Sequence, residues 1–462
     1  MDEISLDDPA GRPRPGLRPL DIGCGRGDLA CRIGDEWLSA QPRLRCDRRP
    51  ASSTRSRWQA AKSRANRRSL PSTVSGMSQA DTRAIAAPPA HTRRDAAPLR
   101  ITLVHDYLLV MRGAERTFAA IAQLYEQAPI FTLLYDEHAT GGRFAGRSIT
   151  TSTLARLPVD QRTFRRLLPL YPWAARRLEL PPCDVVLSSS SAFAHGVRAP
   201  AGAIHMCYCH TPFRYAWYEE GRALAETPRL LRAPLRPLLR RIRRWDLAAS
   251  REVDAYVANG ELTRARIKRY YGREAPIIHP PVETHRFAPG EPGEKLLVVS
   301  EIVRHKRLHV ALEAARRAHA PISVVGSGPD YAALREAYPE AEFLGRASDE
   351  QLAQLYASAR AVIVASREEF GITAVEAQAA GRPVIAAAAG GALETVLDGV
   401  TGRLASLDDV QSFTDAIESI DELDFDPARA VANADRFSVS AFRRALAGHV
   451  TDTLRVQAES SP

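Results

Sequence analysis

Short apolar runs bounded by glycine, serine or proline recur between residues 100 and 405, and most lead into stretches whose apolar residues return every three or four positions. Arg100–Tyr107, Asp184–Ser190, Ile204–His210, Val253–Ala258, Leu296–Ser300, Ile322–Val325 and Ala361–Ala365 read as buried parallel strands, since a sheet covered on both faces needs near-continuous apolar runs. Strand and helix in alternation predict an α/β protein. Pro280-Pro281-Val282 breaks the pattern as a stiff hinge, because neither proline donates to a ladder and each restricts the residue before it. The expected organisation is a first doubly wound domain over 99–280 and a second over 281–462. Phe437, Phe442, Leu446 and Val450 then form one stripe of a closing helix.

The first 98 residues do not join this pattern. Leu20–Ile33, with Gly23, Gly25 and Gly27, is similar to the first motif of S-adenosylmethionine-dependent methyltransferases, in which glycines let backbone pass close to a nucleoside. The stretch from Arg43 to Arg94 supplies none of the further strands such an enzyme needs and is too poor in large apolar residues to build a core. Residues 1–98 therefore read as a low-complexity, mostly disordered extension, with Met77 as an alternative start. Truncation to Met77 is expected to leave activity intact.

Charge changes the picture more than composition does. Apolar residues at 45% and charged residues at 25% are ordinary for a globular chain, and six scattered cysteines suit a reducing cytosol. The net charge of +9 divides into +8 over residues 1–100, +10 over 101–280 and −9 over 281–462. A basic half against an acidic half concerns partners, not fold. Without aromatic platforms or a reading helix, nucleic acid is not expected as a partner. Arg229 to Arg244 holds seven arginines and no acid among leucines, and points to an anionic membrane surface, with Pro234 and Pro237 expected to break any long helix before its last turns. The expected location is cytoplasmic, peripheral on the inner face of the cell membrane.

Candidate chemistry concentrates in Ser366 to Ile385. Glu368 falls in the loop after a strand and Glu376 about a turn into the next helix, with Phe370, Gly371 and Ile372 opening that helix. Helix-start amides attract anions, and a glycine admits a ligand close to backbone, so carboxylates beside amides suit a sugar joined to a nucleoside diphosphate. Gly390-Gly391 forms a further glycine turn at a helix start, able to cradle phosphate. Gly326-Ser327-Gly328 reads equally as a plain turn or as a contact for the donor base. His210, at a strand's carboxyl end before Thr211 and Pro212, lies where open α/β sheets place ligands. Asp424-Phe425-Asp426 spells a metal motif but follows no strand, and reads as solvated charge.

Glu368, seven residues, Glu376, set in Glu-Glu-Phe-Gly and Val-Glu-Ala and closed by Gly-Arg-Pro-Val-Ile-Ala, resembles the donor signature of retaining glycosyltransferases of family 4, nearest the bacterial O-antigen and exopolysaccharide mannosyltransferases. The resemblance covers about residues 100–450. It implies the GT-B fold, two Rossmann-like domains facing across a cleft, with the last helix returning to the first domain. It further implies transfer of a hexose, mannose from GDP-mannose, to a lipid-linked or polysaccharide acceptor, with neither a cofactor nor a metal. On that likeness Glu376 holds the ribose, Glu368 and His210 the sugar, and Lys306 with the Gly371 and Gly391 amides the diphosphate. Gly113 faces the diphosphate, though Ala114 stands where the family has a second glycine. Glu301 replaces a usual arginine, leaving Arg304 or Arg307 to take that role. A nucleotide-sugar epimerase of the same fold and a non-catalytic saccharide-binding paralogue are the alternative readings.

Overall fold

A computed structural model describes residues 99–460 apart from Arg162, so the glycine motif near Gly25 and the extension that holds it lie outside the described residues. The described chain forms two six-stranded sheets, and every pairing between named strands in both is parallel. The first sheet takes β1 (Ile101–Leu108), β2 (Ile130–Tyr135), β3 (Ile149–Thr151), β4 (Val185–Ser190), β5 (Ile204–Cys209) and β6 (Ala255–Ala258). Its strands lie in the order β3-β2-β1-β4-β5-β6. The second takes β7 (Leu296–Val299), β8 (Ile322–Val325), β9 (Glu342–Gly345), β10 (Val362–Val364), β11 (Val384–Ala387) and β12 (Gly402–Ala405), in the order β12-β11-β10-β7-β8-β9.

The two orders are the same winding used twice. In each lobe the chain runs outward to one edge, returns to the middle and runs to the other edge, so the strand order reverses between β1 and β4 and again between β7 and β10. Such reversals open a crevice beyond the carboxyl ends of the central strands, which is where ligands of open α/β sheets bind. His105 and Ser189 stand at the first reversal and the loops holding Lys306 and Glu368 at the second.

Burial follows the sequence pattern. Leu103, Val104, Val186 and Leu187 in the first sheet, and Leu297, Val362, Ile363 and Ile385 in the second, are almost wholly removed from water. The last helix, Val439–Ser460, inserts Phe442, Leu446 and Val450 into the core of the first lobe, with Phe442 edge-on to Tyr208. Its return crosses the hinge, where Val282 bridges to Ser438.

One expectation fails here. Arg229–Ser250 is a continuous helix that includes Pro234 and Pro237. Both prolines are exposed, as are Leu230 and Ala233, so the carbonyls that lose their partners lie where solvent can satisfy them at little cost, and the buried face of Leu239, Ile242, Asp246 and Ala249 holds the rest in place. Among the described residues no helix is long and apolar enough to cross a membrane.

Candidate active site

The second lobe supplies a carboxylate and a cation already joined. The Lys306 ammonium, on a short turn after β7, donates to both oxygens of Glu368, at 2.8 and 2.7 Å. Ser366 also donates to that carboxylate. Each partner is about three-quarters buried, so the pair is shielded yet reachable from the cleft. Glu376 faces a different wall. It is buried, accepts from the Tyr356 hydroxyl at 2.8 Å, and lines a narrow crevice with Arg116, Arg143, Pro281, Glu283 and Ile372. Burial pushes its carboxyl above the usual range, against the lowering by the Tyr356 hydroxyl and Arg116.

The backbone around these groups explains the glycines. Gly371 sits at φ +89°, a conformation that L side chains rarely adopt, and so turns the loop into the helix Ile372–Ala379. At Gly390 a Cβ would come within 2.1 Å of the Glu368 carbonyl, and at Gly391 within 2.1 Å of the Phe370 carbonyl. The double glycine therefore packs directly beneath the Glu368–Phe370 loop. This corrects the role expected for Gly391: its amide donates to the Glu368 carbonyl at 2.9 Å and so holds the loop, with no proton left for a phosphate. Gly326 and Gly328 support the other loop, since Cβ atoms there would strike the carbonyls of Ser300 and Ile302. Phe370 is a core residue, packed between His279 and Phe437.

The candidate cations separate. Arg307 is held by Asp408, and Arg304 is exposed. Glu301 reaches across the cleft to Arg112, 3.8 Å away, so its charge meets an arginine of the first lobe. Gly113, next to Arg112, starts a helix whose first residue faces Ile372, and a Cβ there would lie 3.4 Å from the Ile372 Cδ1. Asp426 N-caps the helix Pro427–Asp435 through the Ala428 amide, in keeping with a structural role.

His210 is 6% exposed at the end of β5. Its Nε2 lies 2.8 Å from the Ser189 hydroxyl, which in turn lies 3.1 Å from His105 Nδ1. Burial, and then the neighbouring His105, pushes the His210 pKa down to about 3, so the ring is neutral at physiological pH. Asp106, beside it, accepts from the Phe193 amide at 2.8 Å and the Ala194 amide at 2.6 Å and fixes the loop after β4.

Several site groups were not legible beforehand. Tyr356 precedes Glu376 by twenty residues on another helix, and nothing in the sequence joins them. Ser366 and Glu369 flank Glu368 closely enough to have been suspected. Glu369 takes the Arg266 guanidinium at 2.9 Å, the Tyr218 hydroxyl at 3.2 Å and Arg214 at 3.6 Å, all from the first lobe.

Residues 111–286 match the model described as Glycosyltransferase Family 4, and residues 282–437 match that of Glycosyl transferases group 1. The two matches meet at the hinge and together span well over half of the chain. The chain carries a family 4 glycosyltransferase domain followed by a group 1 glycosyl transferase domain.

Among the chain's relatives, the D-inositol 3-phosphate glycosyltransferase of Mycolicibacterium smegmatis is 30% identical over 233 residues, covering 44% of this chain and 52% of the relative. Its counterpart from Frankia alni is 33% identical over 180 residues, covering 31% and 44%. The chain thus spans about half the length of the curated relatives it matches. The solved structure of Anabaena HepE with UDP and glucose superposes with a TM-score of 0.57 at 18% identity, over 76% of this chain and 99% of that one. Sucrose-phosphate synthase from Thermosynechococcus elongatus gives 0.58 at 18%, over 78% and 100%. At such identities the likeness shows the fold, which is GT-B.

Proposed function

We propose that the protein transfers a hexose from a nucleoside diphosphate to a hydroxyl of a saccharide acceptor, with retention at the anomeric carbon. The observation that carries this reading is the Lys306–Glu368 pair at the carboxyl ends of the central strands of the second sheet. The pair is suited to exchange partners. An arriving diphosphate can take the ammonium while sugar hydroxyls donate to the freed carboxylate, so both groups stay satisfied in a half-buried place where an unpaired charge would be costly.

In the reaction the acceptor oxygen bonds to the anomeric carbon as the bond from that carbon to the phosphate oxygen breaks. The acceptor's proton passes to the departing phosphate, and Lys306 with the helix-start amides after Gly371 offsets the charge that develops there. Glu376 is assigned to the ribose, Gly113 to the diphosphate and the neutral His210 to the sugar from the first lobe. No metal or other cofactor is assigned.

The donor is read as GDP-mannose, and the acceptor as lipid-linked, from the resemblance to mannosyltransferases. Structural neighbours were solved with UDP and UDP-glucose, and the curated relatives' names carry an inositol phosphate. The arginines of helix Arg229–Ser250, with Leu230 and Leu231 exposed at 92% and 58%, would lay that helix on an anionic membrane.

The test is incubation with labelled GDP-mannose or UDP-glucose and lipid-linked acceptor, with glycolipid, free sugar and new nucleotide sugar separated. Glu368→Gln and Lys306→Ala should each reduce transfer by about two to three orders of magnitude. Near-normal rates in both would refute the assignment, and a new nucleotide sugar formed without acceptor would favour epimerisation.

A further inference from the structure

We infer that Arg214, Arg266 and Tyr218 form a phosphate subsite for the acceptor, and that Glu369 fills it as an internal anion while the acceptor is absent. The inference rests on the glycosyl-transfer reading for the word acceptor, and on geometry alone for the subsite.

The cradle is built more firmly than a surface ion pair requires. Arg266 is only 16% exposed, lies 3.8 Å above the Tyr218 ring and donates to the Thr211 hydroxyl at 3.3 Å. Thr211 and the Tyr218 hydroxyl are 2.8 Å apart. Tyr218 stacks on Tyr270, Tyr270 stacks on Trp217, and the Trp217 indole donates to the buried Asp246. A guanidinium fixed on an aromatic face loses little freedom on meeting an anion, and two arginines with a phenol offer the converging donors that a phosphoryl group takes. All three donors come from the first lobe, whereas the anion between them comes from the second.

Position assigns the ligand. Glu369 follows Glu368 directly, their Cα atoms about 3.8 Å apart, so an anion that replaced its carboxylate would be bound by the same loop as the sugar-binding group. It would approach from the lobe opposite Lys306, the cation already assigned to the donor diphosphate. Thr211 also follows His210 without a gap. A phosphomonoester or diphosphate carried by the acceptor fits this place, and its arrival would release the second lobe's loop from the first.

The experiment titrates inorganic pyrophosphate, and separately orthophosphate, into the full chain by calorimetry. Lys306→Ala is the background, so that the donor cation does not contribute. Adding Glu369→Gln keeps the shape and removes the charge, and should tighten pyrophosphate binding at least tenfold. Adding Arg214→Gln and Arg266→Gln should abolish that gain. A larger gain for pyrophosphate than for orthophosphate assigns a diphosphate, and the reverse assigns a monoester. No gain from Glu369→Gln, or a gain that survives loss of both arginines, overturns the subsite and leaves Glu369 as a link between lobes only. Arg214→Gln without Arg266→Gln, at a partly exposed position, should halve the gain or more even if the quadruple variant folds poorly. Because the readout is binding, absence of transfer in every assay would refute the enzymatic reading without touching this result. Where transfer is seen, Arg266→Gln should raise the acceptor KM at least tenfold with the donor KM within twofold.

Discussion

Asp246 offers the sharpest test of the packing that carries the first lobe's side of the cleft. Its carboxylate is wholly buried and accepts from His195 Nε2 at 2.9 Å, the Trp217 indole at 2.7 Å and the Tyr271 hydroxyl at 2.7 Å. Asp246→Ala leaves three buried donors without an acceptor, at about 1–3 kcal/mol each, a ceiling near 9 kcal/mol. Relaxation and entering water reduce this, and removal of one member of a buried charged network commonly costs about 3–5 kcal/mol. We expect about 4–5 kcal/mol for Asp246→Ala, and about 1–2 kcal/mol for Asp246→Asn, whose amide oxygen still accepts from two donors. That is a large part of the total stability of an ordinary domain, roughly 5–15 kcal/mol. Urea unfolding followed by tryptophan fluorescence reads it directly, since Trp217 bonds the carboxylate and Trp245 lies edge-on to His195. With a urea slope of about 2–3 kcal/mol per molar, the midpoint should fall by about 2 M for Ala. A shift under about 1 kcal/mol, or equal shifts for Ala and Asn, would show that Asp246 does not hold this network together.

Three further outcomes are expected. His205, wholly buried against Ser188, has its pKa pushed down to about 3 by burial and by His195. The unfolded imidazole titrates near 6.5, so the unfolded chain holds the extra proton between those values, and stability falls as pH drops through that window. His205→Gln should therefore lower the slope of unfolding free energy against pH, between about 6 and 4, by about one proton, or about 1.4 kcal/mol per pH unit; an unchanged slope refutes it. Glu394 caps the helix Glu261–Tyr271 from the other lobe, accepting from the Glu261 amide at 2.9 and 3.1 Å, while the N-cap residue Gly260 offers no side chain. A Cβ at 260 would lie 3.1 Å from Glu394 Oε1, so Gly260→Ser should be neutral or harmful in the native chain but recover about 1 kcal/mol in Glu394→Ala, measured as a thermal midpoint. Transfer should survive excess EDTA after dialysis within about twofold; loss of rate restored by a divalent cation would overturn the assignment of Lys306 as the cation at the leaving group.

How much was readable depended on whether the controlling contacts were local. The strands at Leu103, Leu187, Met206, Val298 and Ile363 announce themselves as near-continuous apolar runs, because both faces of their sheets are covered. β3 and β9 are short, partly exposed edge strands, and their residues carry no such run. At the site, Glu368 and Gly371 stand in one loop and could be placed from spacing. The bond from Lys306 to Glu368 joins residues 62 apart, and no periodicity reports it. The Gly391 amide shows the converse error: a glycine turn at a helix start can approach a phosphate or another loop equally well, and only the fold decides which lies there. The helix through Pro234 and Pro237 shows that exposure of the freed carbonyls, invisible locally, decides whether proline breaks a helix.

The pairs that span the cleft share one polarity. Arg112, Arg214 and Arg266 stand on the amino-terminal side, and Glu301 and Glu369 answer them from the carboxyl-terminal side. Halves matched in this way are not interchangeable parts. A chimera that took its carboxyl-terminal half from a relative without those glutamates would meet arginine with nothing opposite. Salt near 1 M, which shortens the screening length to about 3 Å, should make a native chain behave like a mismatched one.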